Sequence, residues 1–333
     1  PSSAASDVYK RQGPVDSHKV EEIDDPIAGP GEVVVDIKAT GISFPDVLIV
    51  QGLYQFKPPF PFSPGSEISG VISSIGEGVT LHQEGDRVMG SIGSGGLREK
   101  GVYSEHQLMP LPESMDFDTA AGFPLNYGTT YHAFKQRGEL KEGQSVLVLG
   151  AGGGLGITAI HIAKAMGAKV IAAASSQEKI DLCLREGADE GIIYERDMDR
   201  DLQKKFSDQI KEATGGGVDM IYDLVGGDYA EPALRAIARH GKYLVIGFTA
   251  GIPKMPLNLT LLKECQIVGV FWGQFAAIDQ AENQENFREL FELHAQGKIK
   301  PFVSETYSLE EAATAIKTLE DRKVLGKVVV RMD

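Results

Sequence analysis

A glycine-rich segment in the middle of the chain has the residue types and spacing of a phosphate-binding turn. The apolar run Ser145–Leu149 precedes it, and apolar residues at helical spacing follow it over 155–166. Its glycines form a G-x-x-G-x-x-G pattern, in place of the commoner G-x-G-x-x-G. A strand, a tight turn and a helix N-terminus in this order can bring backbone N–H groups close to a pyrophosphate. The segment therefore predicts a dinucleotide site, the alternative being a turn that only allows strand and helix to pack closely. The predicted contacts are Gly150, Gly153, Gly154, Leu155 and Gly156.

The residues after the next strand indicate which dinucleotide is bound. In an NAD site, an Asp or Glu at this position usually binds the ribose 2′-hydroxyl. Here the strand ends in Ser175 and Ser176 without a carboxylate, and Lys179 follows one helical turn later. Because hydroxyls and an ammonium can bind a 2′-phosphate through charge-assisted bonds, the sequence favours NADP(H) over NAD(H). The alternative is that Lys179 is a solvated helix residue.

The elements around the turn predict a doubly wound domain over 126–274. Six short apolar runs alternate with helical stretches, which is typical of a parallel six-stranded Rossmann sheet of the α/β class. Residues 13–125 contain short strands separated by glycine-rich and proline-rich turns, which indicates a β-rich domain. We expect the tail, 275–333, to return to that β-rich domain. Residues 1–12 are either a leader foreign to the fold or contain a short first strand over 7–10.

Composition and charge limit the partners. The chain has 333 residues, 42% of them hydrophobic and 24% charged, as in an ordinary globular protein. A net charge of -14 disfavours nucleic acid and anionic membranes as partners. Cys183 and Cys265 lie in apolar contexts that predict buried thiols, and no cysteine–histidine cluster has the spacing of a metal site. With no apolar run long enough for a membrane span and no signal-peptide pattern, we expect a cytoplasmic protein.

Three motifs together resemble the medium-chain dehydrogenase/reductase superfamily: the glycine turn after Val-Leu-Val-Leu, Pro-Gly-Ser-Glu at 64–67, and Gly-Asp-Arg-Val at 85–88. Within it, the chain is similar to the zinc-free, zeta-crystallin-like quinone oxidoreductase branch. The resemblance implies a GroES-like fold for the β-rich domain and NADPH-dependent hydride transfer to a quinone or a related activated carbonyl. Zinc-dependent members carry a cysteine and a His-Glu pair where this chain has Ser43 and Ser66-Glu67, so the resemblance implies no catalytic zinc.

The same resemblance implies roles for individual residues. Tyr54 is similar to a tyrosine that donates a proton beside the nicotinamide in related enoyl-thioester reductases, and a phenol can donate to a developing enolate. Its alternative role is packing against the loop 56–62. Ser43, which stands where quinone reductases often have asparagine, is the second catalytic candidate. The further cofactor contacts implied are Thr130, Tyr194, Val225, Gly247, Phe248, Phe271, Trp272, Gly273 and Arg322.

Two rival functions stay open at this level. One is reduction of an enone or enoyl-thioester double bond, with Tyr54 as the proton donor. The other is a crystallin-like NADPH-binding protein with little turnover, which the fold alone does not exclude. The apolar run 267–271 is expected at a sheet edge that needs a partner, so we predict a homodimer or homotetramer.

Overall fold

A computed structural model describes residues 3–332. Residues up to Leu125, together with those from Pro301 onward, form one compact unit, and Asn126–Lys300 form the other. The second unit is therefore inserted into the sequence of the first. Along residues 3–332, no helix is both long enough and apolar enough to cross a membrane.

The first segment of the first unit is built mainly from strands. The strands are β1 (Ser3–Val8), β2 (Lys19–Asp24), β3 (Glu32–Ile42), β4 (Glu67–Ile75), β5 (Arg87–Ser91), β6 (Lys100–Ser104) and β7 (Met109–Pro110). The helices are α1 (Phe44–Val50) and α2 (Phe117–Ala121). β1 pairs antiparallel with β2, so this region contains a short first strand, but it spans 3–8 and not the predicted 7–10.

The second unit is an alternation of strands and helices. The helices are α3 (Pro124–His132), α4 (Gly154–Ala165), α5 (Gln177–Arg185), α6 (Arg200–Thr214), α7 (Ala230–Arg235), α8 (Asn258–Lys263), α9 (Trp272–Ile278) and α10 (Gln280–Ala295). The strands are β8 (Ser145–Leu149), β9 (Lys169–Ala174), β10 (Glu190–Ile193), β11 (Val218–Asp223), β12 (Ile237–Val245) and β13 (Gln266–Gly269). They form one parallel sheet in the order β10-β9-β8-β11-β12-β13, which confirms the predicted six-stranded Rossmann architecture.

The sheet order explains where a ligand is expected. Connections from β8 run to one side and those from β11 to the other, and open parallel sheets bind ligands at the carboxyl ends of strands where this direction changes. All five residues of β8 are buried, as expected for a central strand covered by helices on both faces. The strand therefore delivers its last residue, Leu149, directly into the glycine turn.

The tail of the chain completes the first unit with β14 (Val303–Ser308), α11 (Ala312–Glu320) and β15 (Lys327–Arg331). β15 pairs parallel with β14 and antiparallel with β3, in a mixed sheet of seven strands. This return begins at 301 and not at 275. The reason is that α10 packs on the residues after α3: Lys135 Nζ lies 3.0 Å from Glu289, and Gln136 Nε2 donates to Asn286 Oδ1 at 2.9 Å.

Candidate active site

The glycine turn has the backbone geometry that a pyrophosphate site requires. Gly150 has φ +78, and its N–H and that of Ala151 both donate to the carbonyl oxygen of Ala173, at 3.1 and 3.0 Å. A Cβ on Gly156 would lie 2.5 Å from the carbonyl oxygens of Gly150 and Ala151, so only glycine permits this approach of helix and turn. α4 begins at Gly154, and Gly153 at its N-cap has no side chain to bind the N–H groups of the first turn. These N–H groups can therefore bind an anion.

The end of β9 lies beside this turn. Ser176 caps α5 by accepting a hydrogen bond from the N–H of Lys179, at 3.3 Å. A Cβ on Gly152 would lie 2.7 Å from Cβ of Lys179 and 3.0 Å from its Cδ, so the lysine stem lies directly over the glycine turn. Ser175, Ser176 and Lys179 are all half-buried. The residues predicted to bind the ribose 2′-phosphate thus lie next to the turn predicted to bind the pyrophosphate.

A cavity of about 480 Å³ opens at the ends of β9 and β10. The residues lining it are Ser175, Ile193, Tyr194, Glu195, Arg196, Asp197 and Leu202. Tyr194 is buried, with its ring 4.6 Å from that of Tyr229. The Tyr229 hydroxyl in turn contacts the carbonyl oxygens of Glu195 (2.8 Å) and Arg196 (2.7 Å), which fixes the course of the backbone here. The predicted adenosine-site tyrosine therefore lies at a cavity that includes Ser175.

Arg196 lines this cavity and was not predicted from the sequence. Its side chain is exposed, and within residues 3–332 it forms no side-chain hydrogen bond or ion pair. The signal that could have identified it is its position, two residues after Tyr194 at the end of the third strand. It adds a second cation, after Lys179, near Ser175.

The carboxyl ends of β11 and β12 close the other side of the turn. Asp223 is buried and accepts hydrogen bonds from the N–H groups of Val225 (2.7 Å) and Gly226 (2.9 Å) and from the Tyr243 hydroxyl. Burial is the main cause that raises the pKa of Asp223, while these hydrogen bonds oppose the shift. Gly247 donates its N–H to the carbonyl oxygen of Asp223 at 3.1 Å, so the two strand ends are joined.

Val225 and Gly247 lie at the same edge of the sheet as the glycine turn. A Cβ on Gly150 would lie 3.0 Å from Cγ2 of Val225, and the loop after Gly247 returns to donate the Ala250 N–H to the Val225 carbonyl oxygen at 2.8 Å. Phe248, within this loop, is 46% exposed. The structure thus brings these predicted cofactor contacts together, as the sheet order requires.

Other predicted cofactor contacts have packing partners inside the second unit. Thr130 is fully buried, and its hydroxyl lies 2.8 Å from that of Tyr222 in β11. The Trp272 ring packs on Gly128, where a Cβ would lie 2.5 Å from it, and its indole N–H donates to Asn283 Oδ1 at 2.9 Å. Phe271 and Gly273 flank this tryptophan, and Phe271 is 64% exposed. Contacts of Thr130 and Trp272 with a cofactor stay predictions.

A buried polar cluster lies where β3 leads into α1 in the first unit. The N–H of Ser43 donates to Asp46 Oδ2 at 2.9 Å. Asp46 is fully buried and also accepts hydrogen bonds from the Gly65 N–H (3.0 Å) and the Ser66 hydroxyl (3.2 Å). Burial raises the pKa of Asp46 to about 6, against the opposing effects of these donors and of Lys327.

Lys327 and Glu67 form a buried ion pair in the same cluster. The Lys327 ammonium lies 2.5 Å from Glu67 Oε2 and 2.7 Å from Ser43 Oγ, and the side chains are 6% and 0% exposed. Glu67 Oε1 accepts the Leu125 N–H at 2.7 Å. Ser43 and Glu67 lie in the family motifs, whereas Lys327 was not predicted; its local signal is a lysine that precedes three buried valines in β15.

These residues do not fit a zinc ion. Ser43 and Ser66 offer hydroxyls where zinc-dependent members place a thiolate and an imidazole, and the Lys327 ammonium already bonds to Glu67 and Ser43. A metal cation among the same oxygens would face this positive charge at close range. Over residues 3–332, no group of three or more His, Cys, Asp or Glu side chains is placed to hold a metal ion.

Tyr54 is half-buried and packs against the core of the first unit. Burial raises the pKa of Tyr54, and the nearby Asp46 carboxylate adds to the shift. The phenol is therefore protonated at neutral pH. Arg322, the predicted 2′-phosphate ligand, lies in the first unit in the turn after α11, with φ +56. Its predicted contact is with a cofactor bound to the second unit, so this role stays a prediction.

Comparison with known proteins identifies the family. Residues 29–113 match the model of the alcohol dehydrogenase GroES-like domain, and residues 154–295 match that of the zinc-binding dehydrogenase. The chain is 38% identical over 307 residues to quinone oxidoreductase-like protein 2 homolog from Nematostella vectensis, covering 91% of this chain and 82% of that protein. It is 32% identical over 310 residues to a quinone oxidoreductase from Rattus norvegicus, covering 90% and 88% of the two chains.

Solved structures agree with this assignment. The Escherichia coli quinone oxidoreductase, whose structure contains NADPH, superposes with a TM-score of 0.89 at 29% identity and covers 98% of this chain and 100% of its own. The chain therefore belongs to the medium-chain dehydrogenase/reductase superfamily. Within that superfamily it is a member of the quinone oxidoreductase branch, as the sequence motifs predicted, and the family makes it an oxidoreductase.

Proposed function

We propose that this protein is an NADPH-dependent, zinc-independent reductase that transfers a hydride to a quinone or a related activated carbonyl acceptor. The observation that carries the proposal is the position of Lys179, whose stem packs on Gly152 within the glycine turn and whose N–H is bound by Ser176. A cation and hydroxyls beside a pyrophosphate site, without a carboxylate, suit a ribose 2′-phosphate. NADPH in the related Escherichia coli enzyme supports the same cofactor.

Each part of the second unit would hold one part of the cofactor. The uncapped first turn of α4 would bind the pyrophosphate through its N–H groups, and Ser175, Ser176 and Lys179 would bind the 2′-phosphate. The cavity beside Tyr194 would hold the adenine end, and the loop from Gly247 would follow the ribose of the nicotinamide. When bound, NADPH supplies the hydride, and the chain's contribution is to orient it toward the acceptor.

The test is oxidation of NADPH and NADH by a panel of quinones, with and without a chelator. We expect acceptor-dependent oxidation with kcat/KM at least about tenfold higher for NADPH than for NADH, unchanged by the chelator. Stoichiometric zinc in the purified protein, with activity lost on its removal, would contradict the metal-free chemistry. An equal preference for both cofactors would contradict the assignment of the 2′-phosphate site.

The half-buried Tyr54 favours a second candidate, reduction of a carbon–carbon double bond conjugated to a carbonyl. Such a reaction requires a proton at carbon, and a phenol held in its protonated form can donate one. Replacing Tyr54 by Phe separates the two activities. Reduction of an enone should fall by about 100-fold or more, whereas reduction of a quinone should barely change, because its product oxygens can take protons from water. Equal effects on both acceptors would exclude Tyr54 as the specific donor.

We also infer that the protein forms a homodimer or homotetramer through β13. In the described part of the chain this strand pairs on one side only, with β12. Around it, Leu261, Leu262, Ile267 and Phe271 are exposed, with exposed fractions from 37% to 76%. An edge strand with an apolar surface beside it is suited to pairing with a second copy.

A further inference from the structure

The path of the Lys327 side chain is built into the first unit by two glycines. A Cβ on Gly122 would lie 2.8 Å from Cγ of Lys327, and one on Gly41 would lie 3.1 Å from its Cε as well as 2.1 Å from the carbonyl oxygen of Ala121. The aliphatic stem of Lys327 therefore occupies space that a side chain at position 41 or 122 would need. This path delivers a buried ammonium to the turn between β3 and α1, beside Ser43.

The hydrogen bonds of this ammonium are incomplete. A lysine ammonium has three N–H donors, and those of Lys327 reach Glu67 Oε2 and Ser43 Oγ. Within residues 3–332, no acceptor takes the third. A buried ion pair is weak evidence for a stabilising role, because desolvation of the two charges offsets their attraction. The incomplete bonding of a buried cation points to a ligand.

The Ser43 hydroxyl is a weakly engaged donor. Its oxygen accepts a hydrogen bond from Lys327 at 2.7 Å, and its own proton is donated to Glu67 Oε2 over 3.4 Å. That distance is long for a hydroxyl donor, whose bonds are commonly about 2.7–2.8 Å. Ser43 is half-buried and Lys327 lies behind it, so the hydroxyl can reach a ligand while the cation stays shielded from water.

We propose that Ser43 and Lys327 together form an oxygen-binding site for the acceptor, in which Ser43 contacts the acceptor oxygen and Lys327 is a positioning residue that polarises Ser43. This inference rests on the proposed reductase function and assigns the group that draws charge onto the acceptor. The ligand is the carbonyl oxygen of a quinone or enone.

The hydride that bound NADPH would supply brings two electrons and forms a C–H bond on an enone or an O–H bond on one oxygen of a quinone, with NADP⁺ as the other product. The π electrons of the acceptor move onto its carbonyl oxygen, which becomes an oxyanion bonded to the Ser43 hydroxyl. A proton from water or Tyr54 then completes the reduced product. Donors aimed at an oxygen where charge develops are worth more in the transition state than in the ground state, so their loss lowers kcat more than it raises KM.

The experiment compares two changes in this cluster with removal of an exposed ion pair elsewhere. Ser43→Ala removes the donor, and the double variant Lys327→Met with Glu67→Gln removes both charges without leaving either one alone. The control is Lys169→Met with Glu190→Gln, which removes an ion pair of 2.8 Å that is about half exposed. Each protein is assayed with NADPH and a quinone. Binding of 4-nitrophenol to the NADP⁺ complex is measured separately, because the absorbance of this probe reports its ionisation.

We expect kcat to fall about 10- to 100-fold in Ser43→Ala and about 100- to 1,000-fold in the double variant, with the KM for NADPH unchanged. The wild-type protein should bind 4-nitrophenol as its anion, and both cluster variants should lose that preference. If wild-type turns over while both variants keep its kcat and its anion preference within twofold, the inference is wrong. If the wild-type protein does not oxidise NADPH with any of the acceptors tested, the proposed function itself fails. Binding of the 4-nitrophenol anion by the wild-type protein would then still support the oxygen-binding site. A double variant that unfolds leaves Ser43→Ala, a single small change, to decide.

Discussion

A substitution at Gly153 can test where the pyrophosphate of NADPH binds without disturbing the fold. It lies at the N-cap of α4 with φ −89, which any residue adopts, and an added Cβ would meet only the carbonyl oxygen of Gly150, at 3.9 Å. The variant Gly153→Ala therefore adds a methyl group that the protein itself accommodates. If a pyrophosphate binds at the first turn of α4, the methyl group occupies the space that this ligand needs.

The expected changes in stability and binding differ. Replacing Gly by Ala at an N-cap costs about 0.5–1 kcal/mol of folding free energy. The lower conformational entropy of the unfolded chain offsets this by about 0.4–1 kcal/mol. The free energy of unfolding should thus change by less than about 0.5 kcal/mol. Loss of one charge-assisted hydrogen bond to phosphate costs about 1.5–3 kcal/mol, which is about a 10- to 100-fold increase in the Kd for NADPH.

Calorimetric titration with NADPH and thermal unfolding measure both quantities. Gly269→Ala is the matched control, because it also has open space around the added Cβ and lies far along the sheet, at the end of β13. Gly156→Ala should lower the free energy of unfolding, unlike the other two variants. Its Cβ would lie 2.5 Å from two carbonyl oxygens and must disturb the turn itself. If Gly153→Ala binds NADPH as the wild-type does, or if Gly269→Ala weakens binding equally, the proposed pyrophosphate position is refuted.

Three further variants test separate parts of the account. Lys179→Ala should raise the KM for NADPH at least about tenfold more than the KM for NADH. The control Lys317→Ala, on the surface of the first unit, should change neither KM. Equal effects of Lys179→Ala on both cofactors would contradict the assignment of the 2′-phosphate site. Burial is the main cause that lowers the pKa of His161 below 6.5, so the unfolded chain takes up a proton more readily. The free energy of unfolding should therefore decrease as pH falls through about 6.5, and His161→Gln should weaken this dependence in urea titrations; an unchanged slope would exclude His161 as its source. Ile267→Lys should convert the oligomer to monomer in light scattering, whereas Ile27→Lys, at another exposed isoleucine, should not; a wild-type monomer would refute the interface.

The second unit was predictable because its signals are local. The glycine turn requires a strand before it and a helix after it, and all three are contiguous over 145–166. The hydroxyl pair Ser175-Ser176 is likewise a local signal, because it directly follows the adjacent strand. Right-handed crossovers restrict the possible strand orders of a doubly wound sheet, and β13, the last of the six strands, lies at an edge as predicted.

The cluster around Ser43 was not predictable in the same way. Lys327 and Glu67 are separated by 260 residues, and no local pattern says that β15 returns beside β3 with its first side chain pointing at Glu67. The same limit applies to the start of the return at 301, which depends on contacts between α10 and the residues after α3. β2 was missed because its sequence, Lys-Val-Glu-Glu-Ile-Asp, carries four charges and lacks a buried face.

The measurement that tests the central claim most directly is transfer of deuterium from NADPH that carries the label at the one hydrogen position of the reactive nicotinamide carbon from which transfer occurs, identified by testing the two stereospecifically labelled forms. The purified protein is incubated with the labelled cofactor and either a quinone or an enone, and both the oxidised cofactor and the reduced product are analysed by mass spectrometry. For the enone, where the transferred atom stays on carbon, we predict one deuterium in each product molecule, with unlabelled NADP⁺ formed in equal amount. For the quinone, we predict stoichiometric formation of unlabelled NADP⁺ with the hydroquinone. Tight binding of NADPH with no loss of the label to any acceptor would contradict the account and identify a cofactor-binding protein without turnover.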